Sequence, residues 1–184
     1  RCNITGCLNF YAGNGAGFNN TTGNSNAFIG QSAGQYSDGN DDSTFIGCNA
    51  GMFLTGSNNV AIGKSALRGS SGNSTGIHNV AIGREAGCTI TSGSYNTLIG
   101  IRAAQNITTG CYNAIFGRFA AFSLTEGSCN NVMGRNAGQD LQTGDGNNFF
   151  GAFAGCQTSS GCNNNYFGAL AGRLANGDYN NAIG

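Results

Sequence analysis

Short apolar runs alternate with turns rich in glycine and asparagine along the whole chain, at a nearly constant spacing. Each run closes on a Gly that follows an Asn, or once Ser43, by four residues. Successive closing glycines are 17 residues apart, except for two steps of 16 and one step of 20. They are Gly13, Gly30, Gly47, Gly63, Gly83, Gly100, Gly117, Gly134, Gly151, Gly168 and Gly184. The chain is therefore one repeat written about eleven times, which indicates a stacked repeat architecture.

Several other columns recur at fixed positions of this repeat. A large apolar residue precedes nearly every closing Gly, and Ala stands three residues after it. A second apolar column lies six or seven residues after the Gly and holds Tyr36, Phe53, Ile90, Ile107, Leu124, Leu141 and Leu174. The asparagine column holds Asn9, Asn26, Asn59, Asn79, Asn96, Asn113, Asn130, Asn147, Asn164 and Asn180. We expect these amides to stack from coil to coil as a structural ladder.

The period and the short apolar runs predict an all-β fold. Helical-pair repeats need about 33 residues or more, which excludes them here. We expect a single-chain parallel β-solenoid, of the β-roll or β-helix type, with about eleven coils of about 17 residues. Residues 1–184 would form one repeat domain without a cap at either end. At the strand spacing of about 4.8 Å, ten coil steps give a rod roughly 50 Å long.

The columns also predict what each position does within a coil. The apolar residue before the closing Gly is expected to point into a narrow core, with the Ala facing it. Gly and Asn are expected at corners, where both tolerate left-handed backbone. The extra residues between Gly63 and Gly83, within G-S-S-G-N-S-T-G, are expected to leave the stack as a loop.

Composition narrows the function classes. Only 9% of residues are charged and the formal net charge is zero, so composition offers no phosphate-neutralising patch and predicts no nucleic-acid partner. No apolar run approaches the roughly 20 residues of a membrane-spanning helix. The acidic residues are scattered, and their one cluster, Asp38, Asp41 and Asp42, reads as a solvated turn. Because paired carboxylates are missing, we do not expect an enzyme.

Eight cysteines suggest an oxidising compartment. We expect three disulfides: Cys2–Cys7 and Cys156–Cys162 across single turns, and Cys111–Cys129 between adjacent coils. Cys48 and Cys88 remain, to be free or to bridge another chain. There is no C-x-x-C and the one histidine is His78, so we expect no zinc and no cofactor.

Five asparagines begin N-x-S/T sequons, which makes N-linked glycans expected partners of a secreted chain. Glycans would supply solubility that the scarce charges do not. The sequons start at Asn3, Asn19, Asn20, Asn73 and Asn106.

The stretches N-V-A-I-G-K-S-A and N-V-A-I-G-R-E-A-G resemble the head repeats of trimeric autotransporter adhesins. They are also similar to repeats of phage tail fibres and other large surface proteins. The resemblance covers nearly the whole chain at the level of the repeat. It implies a left-handed parallel β-roll and an extracellular adhesive or fibre role. The coils of adhesin heads are shorter and usually lack cysteine, so trimerisation and a particular ligand are not implied.

Three functions remain open from the sequence. The first is a structural extracellular or cell-surface fibre, a stalk or adhesin shaft built by coil-on-coil stacking. Both ends lie in mid-repeat, so the chain is either a segment of a longer repeat protein or a head-to-tail homopolymer, with lateral contacts as a further option. The alternative is an ice-binding solenoid, although Thr22, Thr55, Thr109 and Thr143 form an interrupted column. The third is a surface that binds a glycan or receptor.

Overall fold

Each coil contributes one short strand to a single parallel sheet. The computed structural model describes residues 5–71 and 74–184, and none of these residues is helical. Neighbouring strands in the sheet are consecutive in the chain. The strands are β1 (Phe10–Ala12), β2 (Ala27–Ile29), β3 (Thr44–Ile46), β4 (Val60–Ile62), β5 (Val80–Ile82), β6 (Thr97–Ile99), β7 (Ala114–Phe116), β8 (Asn131–Met133), β9 (Asn148–Phe150), β10 (Asn165–Phe167) and β11 (Asn181–Ile183). The predicted all-β solenoid is confirmed, with about ten turns.

The repeat stays in register across the one longer step. Ala61 in β4 pairs with Ala81 in β5, as the repeat positions require. The extra length is taken up before Ser74, which pairs with Leu54 in an isolated parallel bridge. Ser74 is buried, and its hydroxyl donates to the Ile90 carbonyl at 2.8 Å. The coil is therefore tied back to its neighbours at Ser74.

The core is filled from the position two residues before the closing Gly. Phe28 and Phe45 are fully buried, whereas Ile29 and Ile46 are each 37% exposed. The prediction that the column directly before the Gly fills the core is wrong by one residue. Because successive side chains of a strand point to opposite faces, a shift of one residue places this column on the outward face of the sheet. The fully buried members of the true core column are Phe28, Phe45, Ala61, Ala81, Leu98, Ile115, Val132, Phe149 and Tyr166.

The opposite wall of the core consists of the Ala column and of residues seven positions after the closing Gly. Leu54 and Ile90 are fully buried at that seventh position. Tyr36 and Leu174 stand six positions after the Gly and are 43% and 71% exposed. The second apolar column is thus part of the core only where it falls on the seventh position.

Large and small residues complement each other within single coils. Where the core residue is Phe28, residue 34 is Gly, and a Cβ there would overlap the Phe28 ring. Where the core residue is Ala61, the equivalent position is the fully buried Leu67. In the coil of Ala81 the equivalent position is Gly87, and there the Leu67 and Leu98 side chains of the adjacent coils approach it. The core volume is therefore balanced within a coil or between neighbouring coils, as close packing demands.

We predict that Gly34→Ala lowers the free energy of unfolding by roughly 1–3 kcal/mol, because the methyl group overpacks the Phe28 ring. Adding Phe28→Leu should recover part of that loss, since Leu98 and Ala104 form this pair natively and both are buried. Ala104 has a φ of 43°, so Ala tolerates the backbone at this position. Urea unfolding of the single and double variants measures the coupling. Strict additivity of the two substitutions would contradict the account.

The asparagine column forms a hydrogen-bonded ladder inside the solenoid. Asn113 Oδ1 accepts from the backbone N–H of Asn130 at 3.0 Å and from its Nδ2 at 3.1 Å. Asn113 Nδ2 also donates to the Gly127 carbonyl at 2.9 Å. Where Ser43 replaces Asn, its hydroxyl accepts from the Asn59 N–H at 3.0 Å, so the ladder continues. These side chains satisfy backbone groups that would otherwise be buried without partners.

Left-handed backbone occurs one residue before each ladder Asn and not at the Asn itself. Ser25, Tyr95 and Tyr112 have φ values of 57°, 60° and 58°. The closing glycines adopt more extreme values, such as 128° at Gly30. A Cβ on Gly30 would come within 2.7 Å of the Gly47 carbonyl in the next coil, so the coil spacing itself requires Gly there. The expectation that Asn takes this conformation is corrected.

We predict that Asn113→Ala lowers the free energy of unfolding by roughly 2–5 kcal/mol, because it leaves buried donors and acceptors unpaired. Asn131→Ala is the matched control. Asn131 is exposed and its amide donates to Asn148 Oδ1 at 2.9 Å, so its loss should cost under about 1 kcal/mol. Denaturant titration measures the free energy of unfolding of both variants. Equal losses of stability would contradict a special structural role of the buried ladder.

Candidate functional site

The part of the chain that the structure describes, residues 5–71 and 74–184, contains no cavity and no group of three or more His, Cys, Asp or Glu placed to hold a metal. Its remaining candidates are turns and outer surfaces.

The acidic turn of the third coil binds the coil before it. Asp38 Oδ1 accepts from the backbone N–H and the hydroxyl of Thr21, both at 2.8 Å. Asp41 Oδ1 accepts from the Asn24 N–H at 2.6 Å. The Thr21 backbone hydrogen bond is the main reason that the pKa of Asp38 lies below its ordinary value. These carboxylates cap a turn.

Two cysteines belong to a turn column whose side chains accept hydrogen bonds from the preceding coil. The Ser94 N–H donates to Cys111 Sγ at 3.3 Å, and the Asp145 N–H donates to Cys162 Sγ at 3.3 Å. Ser128 fills the same role one coil after Cys111, accepting the Cys111 N–H at 3.0 Å. Sulfur therefore takes the acceptor role that Asn24, Ser128 and Asp145 have in other coils.

This column explains why Cys111 and Cys129 do not form the predicted disulfide. Both thiols are free. Cys111 Sγ accepts from Ser94 in the preceding coil, whereas Cys129 lies in the following coil and its N–H donates to the Cys111 carbonyl at 3.0 Å. The prediction of this bridge is wrong because the sulfur is directed away from its expected partner.

The predicted Cys156–Cys162 bridge is absent as well. Both thiols are free, and Cys156 is buried. The fully buried Thr158 lies between them in the turn, while Cys162 Sγ faces Asp145. The six-residue separation in the sequence suggested that the two sulfurs are close, but it did not show that the turn between them directs them to different neighbours. Of the third predicted pair, Cys2 lies outside the described residues and Cys7 is exposed.

The two remaining cysteines differ in exposure. Cys48 is half-buried, and its proposed bridge to another chain stays a prediction. Cys88 is 5% exposed, and burial raises the pKa of its thiol. A buried, protonated thiol is unreactive, so Cys88 is not suited to an interchain bridge.

The sequons also differ in exposure. Asn20 is 2% exposed, and its Oδ1 accepts from the Gly23 N–H at 2.8 Å, so the folded chain hides it. Asn19 and Asn106 are half-buried in surface turns. Asn3 and Asn73 lie outside the described residues.

The outward side of the sheet, which we call the flat face, consists of two side-chain columns. One is the apolar column directly before the closing Gly: Ile29, Ile46, Ile62, Ile82, Ile99, Phe116, Met133, Phe150, Phe167 and Ile183. The other column, two residues earlier, is small or β-branched from β2 to β7. From β8 to β11 it is a second, outward-facing asparagine ladder. In that ladder Asn148 Nδ2 donates to Asn165 Oδ1 at 2.8 Å. Six members of the apolar column are exposed and four are half-buried. Contiguous apolar surface that reaches solvent in this way is typical of interaction sites.

The corner after the closing Gly carries most of the positive charge. Five of the eight Lys and Arg residues occupy the two positions after this Gly in five consecutive coils. We call this set the basic edge; it consists of Lys64, Arg84, Arg102, Arg118 and Arg135. Arg102 is half-buried and the other four are exposed.

The negative charge lies at the other end of the strands. Six of the eight acidic residues fall between the second apolar column and the ladder position: Asp38, Asp41, Asp42, Glu126, Asp145 and Asp178. The neutral net charge thus hides two edges of opposite sign, and the expectation from composition that no cationic patch exists is corrected.

Aromatic rings hold guanidinium groups of the basic edge in place. The guanidinium carbons of Arg118 and Arg102 lie 4.8 Å and 5.6 Å from the centre of the Phe119 ring. That of Arg135 lies 4.7 Å from the centre of the Phe153 ring. Cation–π stacking of this kind limits the rotamers of long side chains.

Sequence reasoning missed both surfaces, although signals for them exist. The flat face was assigned to the core by a shift of one residue. The basic edge is visible when Lys and Arg are counted by repeat position and not along the chain.

Comparison with protein-family models, curated proteins and solved structures finds no match for this chain. Within the described ranges, no helix is long and apolar enough to cross a bilayer. The geometry defines a repeat β-solenoid with two outward surfaces, the flat face and the basic edge.

We predict that Asp38 contributes stability that depends on pH. Its lowered pKa means that this contribution is present above the unfolded value of about 3.9 and is lost as pH falls through the folded value. The difference in free energy of unfolding between the natural chain and Asp38→Asn should therefore be largest near neutral pH and shrink in acid. Asp42→Asn, an exposed acid nearby, is the control. A difference that is constant from pH 7 to pH 2 would contradict this role.

Proposed function

We propose that this chain is a structural rod of an extracellular or cell-surface fibre, and that two copies pair through the flat face. The observation that carries the proposal is the unbroken apolar column on the outer side of the sheet. The resemblance to surface-protein repeats supports the setting. Asn19 and Asn106 are the described sequons with exposed side-chain surface, so the proposed glycans belong there.

The repeated residues support a structural role because they contact neighbouring coils. The ladder asparagines bind the next coil, the closing glycines allow its close approach, and the core column fills the coil interior. Such an arrangement makes a stiff spacer whose length is set by the number of coils. Stacking of separate chains end to end stays a prediction.

The proposed occupant of the flat face is a second copy of this chain. The apolar column has one side chain per coil, at the strand spacing of about 4.8 Å, along a rod roughly 50 Å long. A partner that covers it evenly must have the same spacing and length, and another copy has both. Two such sheets would pack face to face at about 10 Å.

The area of the flat face is sufficient for such pairing. A strip about 50 Å long and roughly 10 Å wide covers ~500 Å² on each copy and ~1,000 Å² in total. This total reaches the lower end of specific interfaces, at about 1,000 Å². We therefore expect a reversible dimer of moderate affinity.

Ile82→Lys tests the pairing, because it places a charge in the middle of the flat face. Ile82 is 38% exposed. We predict that this substitution weakens dimer association by at least about tenfold, as expected for the loss of a central interface residue. Ile101→Lys is the matched control: Ile101 is 43% exposed but lies at the corner beside the flat face. Sedimentation equilibrium measures both variants against the natural chain.

A natural chain that stays monomeric at several hundred micromolar, or an equal effect of the two lysines, would contradict lateral pairing. The monomer would then leave a flat and regular face open to solvent, which favours the second candidate function, ice binding. The Thr column considered for ice binding does not lie on this face, whereas Thr44 and Thr97 do. Inhibition of ice recrystallisation by the monomer would support that alternative, and our proposal expects none.

A further inference from the structure

We propose that the basic edge binds a linear carboxylated polysaccharide, with the sugar chain running along the rod axis. The observation is the alignment of Lys64, Arg84, Arg102, Arg118 and Arg135 on five consecutive coils, opposite the acidic edge. This binding site is separate from the flat face and does not depend on pairing of two copies.

The spacing of the charges defines the shape of the ligand. Lys64, Arg84, Arg118 and Arg135 stand directly after the closing Gly of their coils, whereas Arg102 stands one residue further on. Consecutive coils stack at about 4.8 Å, so the row spans four steps and is roughly 19 Å long. A single row of this kind matches one extended polymer chain. Compact anions would contact only one or two of its members.

Four of the five cations in the row are exposed, and two of these four are partly pre-ordered. Arg102 Nε contacts Glu85 Oε2 at 2.7 Å, which neutralises one member of the row. Arg118 and Arg135 stack on Phe119 and Phe153 and remain exposed at their outer sides. Guanidinium groups held in this way lose less rotamer entropy when they bind an anion.

The chemistry of arginine favours a carboxylated polymer. Guanidinium pairs with carboxylate through two parallel hydrogen bonds, which give the ion pair a defined geometry in addition to the charge attraction. A chain of uronic acids carries one carboxylate per sugar, and one sugar is about as long as one strand spacing. Carboxylates on one side of such a chain therefore recur at multiples of the coil spacing.

Nucleic acid fits the row less well. Duplex DNA carries one charge per about 1.7 Å and presents them on two strands, which a single row at strand spacing cannot match. Single-stranded nucleic acids rely on stacking of bases on open aromatic rings. Guanidinium groups already lie over Phe119 and Phe153.

The test measures binding of polygalacturonate oligomers to the immobilised natural chain over a range of NaCl concentrations. Fully methyl-esterified oligomers of the same length provide the neutral control ligand, and poly(dT) provides the nucleic-acid comparison. We expect polygalacturonate to bind, its affinity to fall steeply with salt, and the neutral oligomer not to bind. Poly(dT) should bind more weakly than polygalacturonate.

Substitutions assign the binding to the row. The triple variant Arg84→Gln, Arg118→Gln, Arg135→Gln should bind on the order of tenfold more weakly or worse, with a shallower salt dependence. Arg173→Gln removes an exposed charge away from the row and should change little. Ile101→Arg fills the one position of the main column between Arg84 and Arg118 that lacks a charge, and it should strengthen binding.

Thermal melting of each variant checks that the exposed substitutions leave the fold intact. Equal affinity of the triple variant and the natural chain, no gain from Ile101→Arg, or tighter binding of poly(dT) than of polygalacturonate would overturn the proposal. Failure of the flat face to pair would leave this result unaffected, so the two proposals are tested separately.

Discussion

Hydrogen bonding between successive coils is the constraint on which the rest of the structure depends. Each coil has only one three-residue strand, so the sheet alone cannot satisfy the backbone of a 17-residue turn. Backbone hydrogen bonds in the turns also join successive coils, as from the Gly87 N–H to the Ala103 carbonyl at 3.0 Å. The ladder asparagines supply further partners, as when Asn113 binds Asn130 and the Gly127 carbonyl. A residue that provides such a bond must recur at the same place in every coil. The sequence repeats because the same hydrogen bonds recur between each pair of successive coils.

This constraint leaves little interior and much surface. A coil that closes within 17 residues has room for few large core side chains, and small residues stand opposite large ones, as in the pairs Phe28–Gly34 and Ala61–Leu67. Every second strand position must then point outward. The outward positions form straight rows along the rod, so that a modest preference at one repeat position becomes a long apolar or charged line. Both proposed functions use such lines.

The sequence predicted the architecture well because period and turn chemistry carry that information directly. It failed on the face of the strand because V-A-I-G places apolar residues on both sides, and the core residue Ala81 is smaller than the exposed Ile82. It failed on disulfides because sequence distance says nothing about direction: Cys111 Sγ is used as an acceptor by Ser94. Basic residues about 17 positions apart appear scattered along the sequence. Only the register of the coils shows that they lie next to each other on one edge of the rod.

The most direct test of this account is native-state hydrogen exchange of the asparagine side-chain amides, followed by NMR. In the ladder, Asn96, Asn113 and Asn130 are almost fully buried and each amide donates to two acceptors. We predict that these side-chain protons exchange orders of magnitude more slowly than those of the exposed Asn14. Exchange of the ladder amides at the rate of Asn14 would contradict the central claim that they hold the coils together.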